Sequence, residues 1–186
     1  MVARNRYTPR YMNRSNWKMP IEAGAGITEG VSTVYRSSVS EVGGIITTEI
    51  LIDLTGLSSS TTLLDIIGKD ATALPCHFGR VTEAVNGTIM YGTVTCLETP
   101  AGGAVTDIDF YSATEGTGVE TGPSTGLTVT ILLEKAGAWS AAVATPFIMT
   151  GAVVADQYLY LMTGDTGSDG TYNAGRFSIK LVGYHA

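Results

Sequence analysis

YLYLMTGDTGSDGTYNAGRFSIKLVGYHA, residues 158–186, decides the fold. In its second half Phe177, Ile179 and Leu181 alternate with Arg176, Ser178 and Lys180. A period of two sends successive side chains to opposite faces, so this run is a half-buried strand. In the first half Leu159 and Leu161 oppose Tyr158, Tyr160 and Met162. Both faces of that run are apolar, which predicts a strand at the centre of a sheet or at a subunit interface. The connection, GDTGSDGTYNAG (164–175), has the glycine, aspartate and threonine of a turn-forming loop.

The same period recurs outward along the chain. IITTEILIDL (45–54) sets Ile46, Thr48, Ile50, Ile52 and Leu54 against Ile45, Thr47, Glu49, Leu51 and Asp53. VSTVYRSSVS (31–40) precedes it, and EVGG (41–44) supplies glycines for a tight turn, so the two runs predict a hairpin. Further strands are expected at 78–85, 87–98, 104–113, 127–134, 146–151, 157–164 and 176–184. Asn86-Gly87 between the first two of these carries the dipeptide of a type I′ hairpin turn. TTLLDIIG (61–68), with Ser and Thr as N-cap candidates and Gly68 as a stop, predicts one short helix. The expected architecture is all-β: an antiparallel β-sandwich, jelly-roll-like, over residues 31–186.

Residues 1–30 read differently, as an extended basic N-terminal arm. The first twenty contain Arg4, Arg6, Arg10, Arg14 and Lys18 and no acid, whereas the remaining 166 carry six bases and seventeen acids, a net of −11. Tyr7, Tyr11 and Trp17 are interleaved with the cations and offer large contact area at low entropic cost. Together these eight residues are the candidate partner-binding set, suited to an acidic protein surface. No apolar h-region or membrane-spanning run follows them. Charged residues make up 15% of the chain against the usual quarter, and glycine, at 23 of 186, is about twice its usual frequency. Little surface is spent on solvation, which suits packing against other protein.

Chemistry has little support in the pattern. Cys76 adjoins His77, but neighbours on an extended chain face opposite ways, and two cysteines, Cys76 and Cys96, read as buried free thiols. Asp107 and Asp109 share one face of a strand and read as an exposed polar face, with Ile108 and Phe110 inward. Asp165 and Asp169 could offer oxygens to calcium, yet DTGSDG lacks the later bidentate glutamate and turn chemistry accounts for it without an ion. Neither a phosphate loop nor a nucleophile elbow occurs. The expectation is a non-enzymatic protein without metal or cofactor.

GGIITTEILIDLTGL, DIIGK, AVNGTIMYGTVTCLETPAGGAVTDIDFYSATEGTG and DQYLYLMTGDTGSDGTYNAGRFSIKLVGYHA together resemble small virion proteins of tailed phages over residues 42–186. The resemblance implies a capsid decoration or cement protein on the outer capsid surface, binding the major capsid protein and neighbouring copies of itself as a homotrimer. It implies neither a nucleic-acid nor a membrane partner, and a body of net −11 repels phosphate. A head or tail fibre attachment module is the alternative.

Overall fold

The computed structural model describes residues 21–29, 34–70, 73–120, 123–148, 156–167 and 169–185. Ten strands and two single-turn helices follow in chain order: α1 (Ala25–Thr28), β1 (Tyr35–Val42), β2 (Ile45–Asp53), β3 (Ser58–Ser59), β4 (Gly79–Val81), α2 (Glu83–Asn86), β5 (Thr88–Gly102), β6 (Ile108–Ala113), β7 (Val129–Leu133), β8 (Ala144–Ile148), β9 (Gln157–Thr163) and β10 (Gly170–Tyr184). One sheet runs β1-β2-β10-β5-β8 with β3 added to β10, and the other runs β4-β9-β6-β7. Every pairing is antiparallel. The fold is therefore an all-β sandwich of two antiparallel sheets.

The hairpin is where the alternation put it. β1 and β2 pair from Tyr35↔Ile52 to Val42↔Ile45, with Gly43 and Gly44 between them at φ 61° and 81°. Two successive left-handed positions favour glycine at both, and the turn they make matches the strand twist. Ile46, Thr48, Ile50 and Ile52 point into the core and Ile45 and Glu49 to solvent. β10 continues the layer with Phe177, Ile179 and Leu181 buried. Phe78 stacks on Phe110 with centroids 5.2 Å apart, and Phe110 meets Phe147 of the other sheet edge-on at 5.3 Å, an aromatic contact that joins the two layers.

Two local expectations are overturned. Residues 61–68 form no helix: Leu64 and Ile67 donate their N–H groups to Thr163 and Leu161 on β9, and Ser58 pairs Gly68. Two helical turns are marginal in isolation, and a sheet edge offering backbone partners to a segment that buries Ile66 and Ile67 wins. The short helices lie instead at α1 and α2.

Asn86-Gly87 is no hairpin turn either. β4 belongs to one sheet and β5 to the other, so the chain crosses the sandwich here. Asn86, fully buried, ends α2: its Oδ1 accepts from Thr82 N at 2.9 Å and its Nδ2 donates to Thr48 Oγ1 at 2.8 Å. Gly87, at φ 66°, packs against the Tyr184 carbonyl, where a side chain would collide.

Residues 21–29, on the arm side of the expected boundary at 30, are packed on the body. Ile21 and Ile27 are buried, and the Ile21 carbonyl accepts from Tyr35 Oη at 3.0 Å and Ser37 Oγ at 2.6 Å. Among the described residues no helix is long and apolar enough to cross a membrane.

Ile50 and Ile179 face each other across β2 and β10, both fully buried. Either one changed to Ala should cost roughly 2–5 kcal/mol in chemical denaturation, and the double variant less than the sum because the cavities merge. Lys180→Ala, on the outer face, should leave the midpoint nearly unchanged.

Candidate interaction face and an enclosed acid pair

The two sheets differ in what covers their outer faces. On the outward row of β9 in the four-stranded sheet, Tyr160 and Met162 are fully covered and Tyr158 is partly covered. The cover is the segment after β6. Tyr160 Oη donates to the Glu115 carbonyl at 2.8 Å and accepts from Gly118 N at 3.2 Å. Glycines 116 and 118 let the backbone lie on the rings of Tyr158 and Tyr160, where a Cβ would meet ring carbons at 2.6 and 2.9 Å. This is why both faces of that strand are apolar in sequence: it is central, between β4 and β6, and layered on both sides.

Among the described residues the six-stranded sheet is more open, although Val182 at the middle of its outer face is buried. Register places successive rows across its outer face. Val42, Ile45 and Tyr184 lie in the first, and Ser40, Thr47, Val182 and Tyr91 in the second. Ser38, Glu49, Lys180, Thr93 and Pro146 form the third. At the end of the first two rows Val42 is 59% exposed, Ile45 45%, Tyr91 47% and Tyr184 38%. Such a contiguous set of large apolar side chains marks a contact surface more often than isolated exposed residues do. The alternation of β2 and β10 already held this face, since its polar side includes Ile45, Val182 and Tyr184; reading those strands for their cores hid it.

The arm residues Arg4, Arg6, Tyr7, Arg10, Tyr11, Arg14, Trp17 and Lys18 lie outside the described residues. The cysteines are both free and buried. Cys76 Sγ donates to the Leu74 carbonyl and burial pushes the thiol up to about 11, while His77 turns away, edge-on to Tyr158 at 4.8 Å. Burial also lowers the His77 pKa from its ordinary value. The charges of nearby Glu120 and Asp65 raise the Cys76 thiol further, so it stays protonated and is a poor nucleophile.

Asp107 and Asp109 are not an exposed face. Asp109 is 3% exposed and Asp107 half-buried, because residues 134–138 fold over them. Lys135 N donates to Asp109 Oδ1 at 2.7 Å and Gly137 N to Asp107 Oδ2 at 3.0 Å. Ile108 and Phe110 do point inward. Asp165 joins Asp107 in lining a cavity of about 360 Å³ with Gly103, Thr106 and Gly137. Its own Oδ1 accepts from Thr166 N at 2.7 Å, as in a turn. Asp169 acts elsewhere: burial raises the Asp65 carboxyl pKa, and the charge of Asp169 adds to that rise. Among the described residues no group of three or more His, Cys, Asp or Glu is placed to hold a metal ion.

Set against protein-family models, curated proteins and solved structures, the chain finds no match in any of the three.

Tyr160→Phe removes one hydroxyl that serves two backbone groups. It should cost about 1–3 kcal/mol by thermal or urea unfolding, and amide exchange should quicken first in residues 115–120.

Proposed function

We propose that this chain is a non-enzymatic structural component of a tailed-phage virion, a decoration protein that binds the outer surface of the assembled capsid and stabilises it. The observation that carries the reading is the open outer face of the six-stranded sheet, with Val42, Ile45, Tyr91 and Tyr184 exposed together at one end. A rigid sandwich that spends its glycines on turns and close contacts presents such a face at little conformational cost. The resemblance of residues 42–186 to small virion proteins supports the same reading.

In it, the face meets the major capsid protein or a neighbouring copy, and the cationic residues of the arm lie along acidic protein surface. Trimers engage several sites at once and gain avidity from each. The acidic body faces away from packaged DNA.

Imaging of intact particles at side-chain resolution tests this: trimers on the outer shell are the expected result, and density confined to the tail or the interior overturns it. Deleting residues 1–20 should leave the body folded, since Ile21 onward is bonded to it. Occupancy on shells should fall, and more steeply with added salt in the full chain than in the truncated one. Tyr91→Glu should lower occupancy without lowering the melting temperature, because Tyr91 is 47% exposed.

A further inference from the structure

The acid pair has a geometry that neither a turn nor a contact surface requires. A Cβ placed on Gly164 would stand 2.8 Å from Asp107 Oδ1 and 3.0 Å from Asp109 Oδ2, so these two oxygens are no more than 5.8 Å apart. Asp107 Oδ1 is buried and has no hydrogen-bond partner among the described residues. The remaining carboxylate oxygens hold the 134–138 loop through Lys135 N and Gly137 N, and Gly164 N donates to the Asp107 carbonyl at 2.9 Å. Three segments thus meet on two like charges: the approach to β6, the loop after β7 and the turn after β9.

We propose that the Asp107–Asp109 pair is an acid-sensitive latch, closed in mildly acidic solution when Asp109 takes a proton and no longer repels Asp107, and loosened at neutral pH when that proton returns to water. A neutral Asp109 removes the repulsion between the two acids, whereas two carboxylates set like charges side by side where burial of Asp109 already disfavours its ionised form. The surrounding charges agree in direction. Burial raises Asp109 most, its bond from Lys135 N lowers it, the charges of Asp107 and Glu134 raise it, and that of Lys135 lowers it, leaving the group pushed up to about 6. Lys135 Nζ is drawn off toward the Gly137 carbonyl and the Trp139 ring, 5.4 Å from its centroid. Asp165 adds a further acid on the cavity wall, and Tyr111, on the same face of β6, is itself pushed up to about 12.

The sign follows from linkage. A carboxyl whose pKa is raised in the closed state contributes stability that is complete below its ordinary value of 3.8 and is lost as pH rises through about 6. Local opening of the loop should therefore increase about tenfold between pH 5 and pH 7. The readout is amide exchange at Lys135 and Gly137 in the full chain, corrected for intrinsic rates, with Trp139 emission in a Trp17→Phe background as a second probe. Trp139 is suited to this because its Nε1 donates to the Ile108 carbonyl, between the two aspartates, at 2.7 Å.

Asp109→Asn cannot ionise and should hold the latch closed at every pH, making protection flat. Asp107→Asn removes one raising charge and should move the midpoint down in pH. Protection independent of pH in the natural chain, or an Asp109→Asn variant that keeps the natural pH profile, overturns the proposal. So does restoration of protection at pH 7.5 by millimolar calcium in the natural chain and not in Asp109→Asn, which would make the cavity an ion site.

Discussion

β10 is the constraint on which the sandwich depends. Fifteen residues long, it pairs β2 along one side over Arg176–Tyr184 and β5 along the other over Tyr172–Tyr184, and Gly170 and Thr171 extend it to β3. Remove it, and β1-β2 becomes a lone hairpin while β5-β8 becomes an isolated two-stranded pair, each too small to be stable in water. Its partners lie 70 to 139 residues earlier, from Tyr172↔Gly102 to Tyr184↔Ile45, so the core closes only when distant segments meet. Loop closure precedes the reward, which is the condition for slow folding.

The bulges of β10 fit it to a curved partner. Register shifts against β5 flank Ala174, Arg176 and Val182, and Gly175, at φ 132°, stands against Leu54 and Pro100 where a Cβ would meet atoms at 3.1 Å. There Leu54 N donates to the Gly175 carbonyl, and Arg176 bonds Asp53 at 2.8 Å from the exposed side. An extra residue in one strand deepens the local twist, and the twisted end brings Trp139 onto Phe177 at 5.3 Å. The layer that carries the open face is thus the one whose shape is fixed most tightly, and a surface that binds by complementarity gains from that rigidity.

Period-two alternation made β2, β5, β9 and β10 legible because one face or both had to be buried. What stayed hidden was set by distant partners. The buried pair Ile66 and Ile67 suits helix and strand equally over eight residues, and the free edge beside β9 decided it. Asn86-Gly87 carried a strong local turn signal, but Thr48, 38 residues away, offered Asn86 a bond that holds it at a helix end. The Asp-x-Asp spacing placed both carboxylates on one face correctly. Nothing local in EKAGAW says that its backbone folds back over them, so their burial was unreadable. The alternating arginines and aromatics of the arm were plain in the sequence because charge needs no fold to be counted.

Burial of ionisable groups pulls the stability of this molecule in two directions. Asp109 and Asp65, both raised chiefly by burial, favour the fold at low pH and cease to help as they ionise. His77 and Asp53 act oppositely. Burial lowers His77, so stability present above about 6.5 falls away as acid protonates the unfolded chain. Burial alone would raise Asp53, but bonds from Arg176 and Thr55 outweigh it and hold the group below 3.8, so its contribution is lost only in stronger acid. Below pH 6.5 Asp109 and His77 therefore pull global stability in opposite directions, though they sit on different elements and touch different loops. A flat melting temperature across that range is compatible with a large local change at residues 134–138, because a sum of opposed terms conceals each one. Only a probe attached to one of those loops separates them.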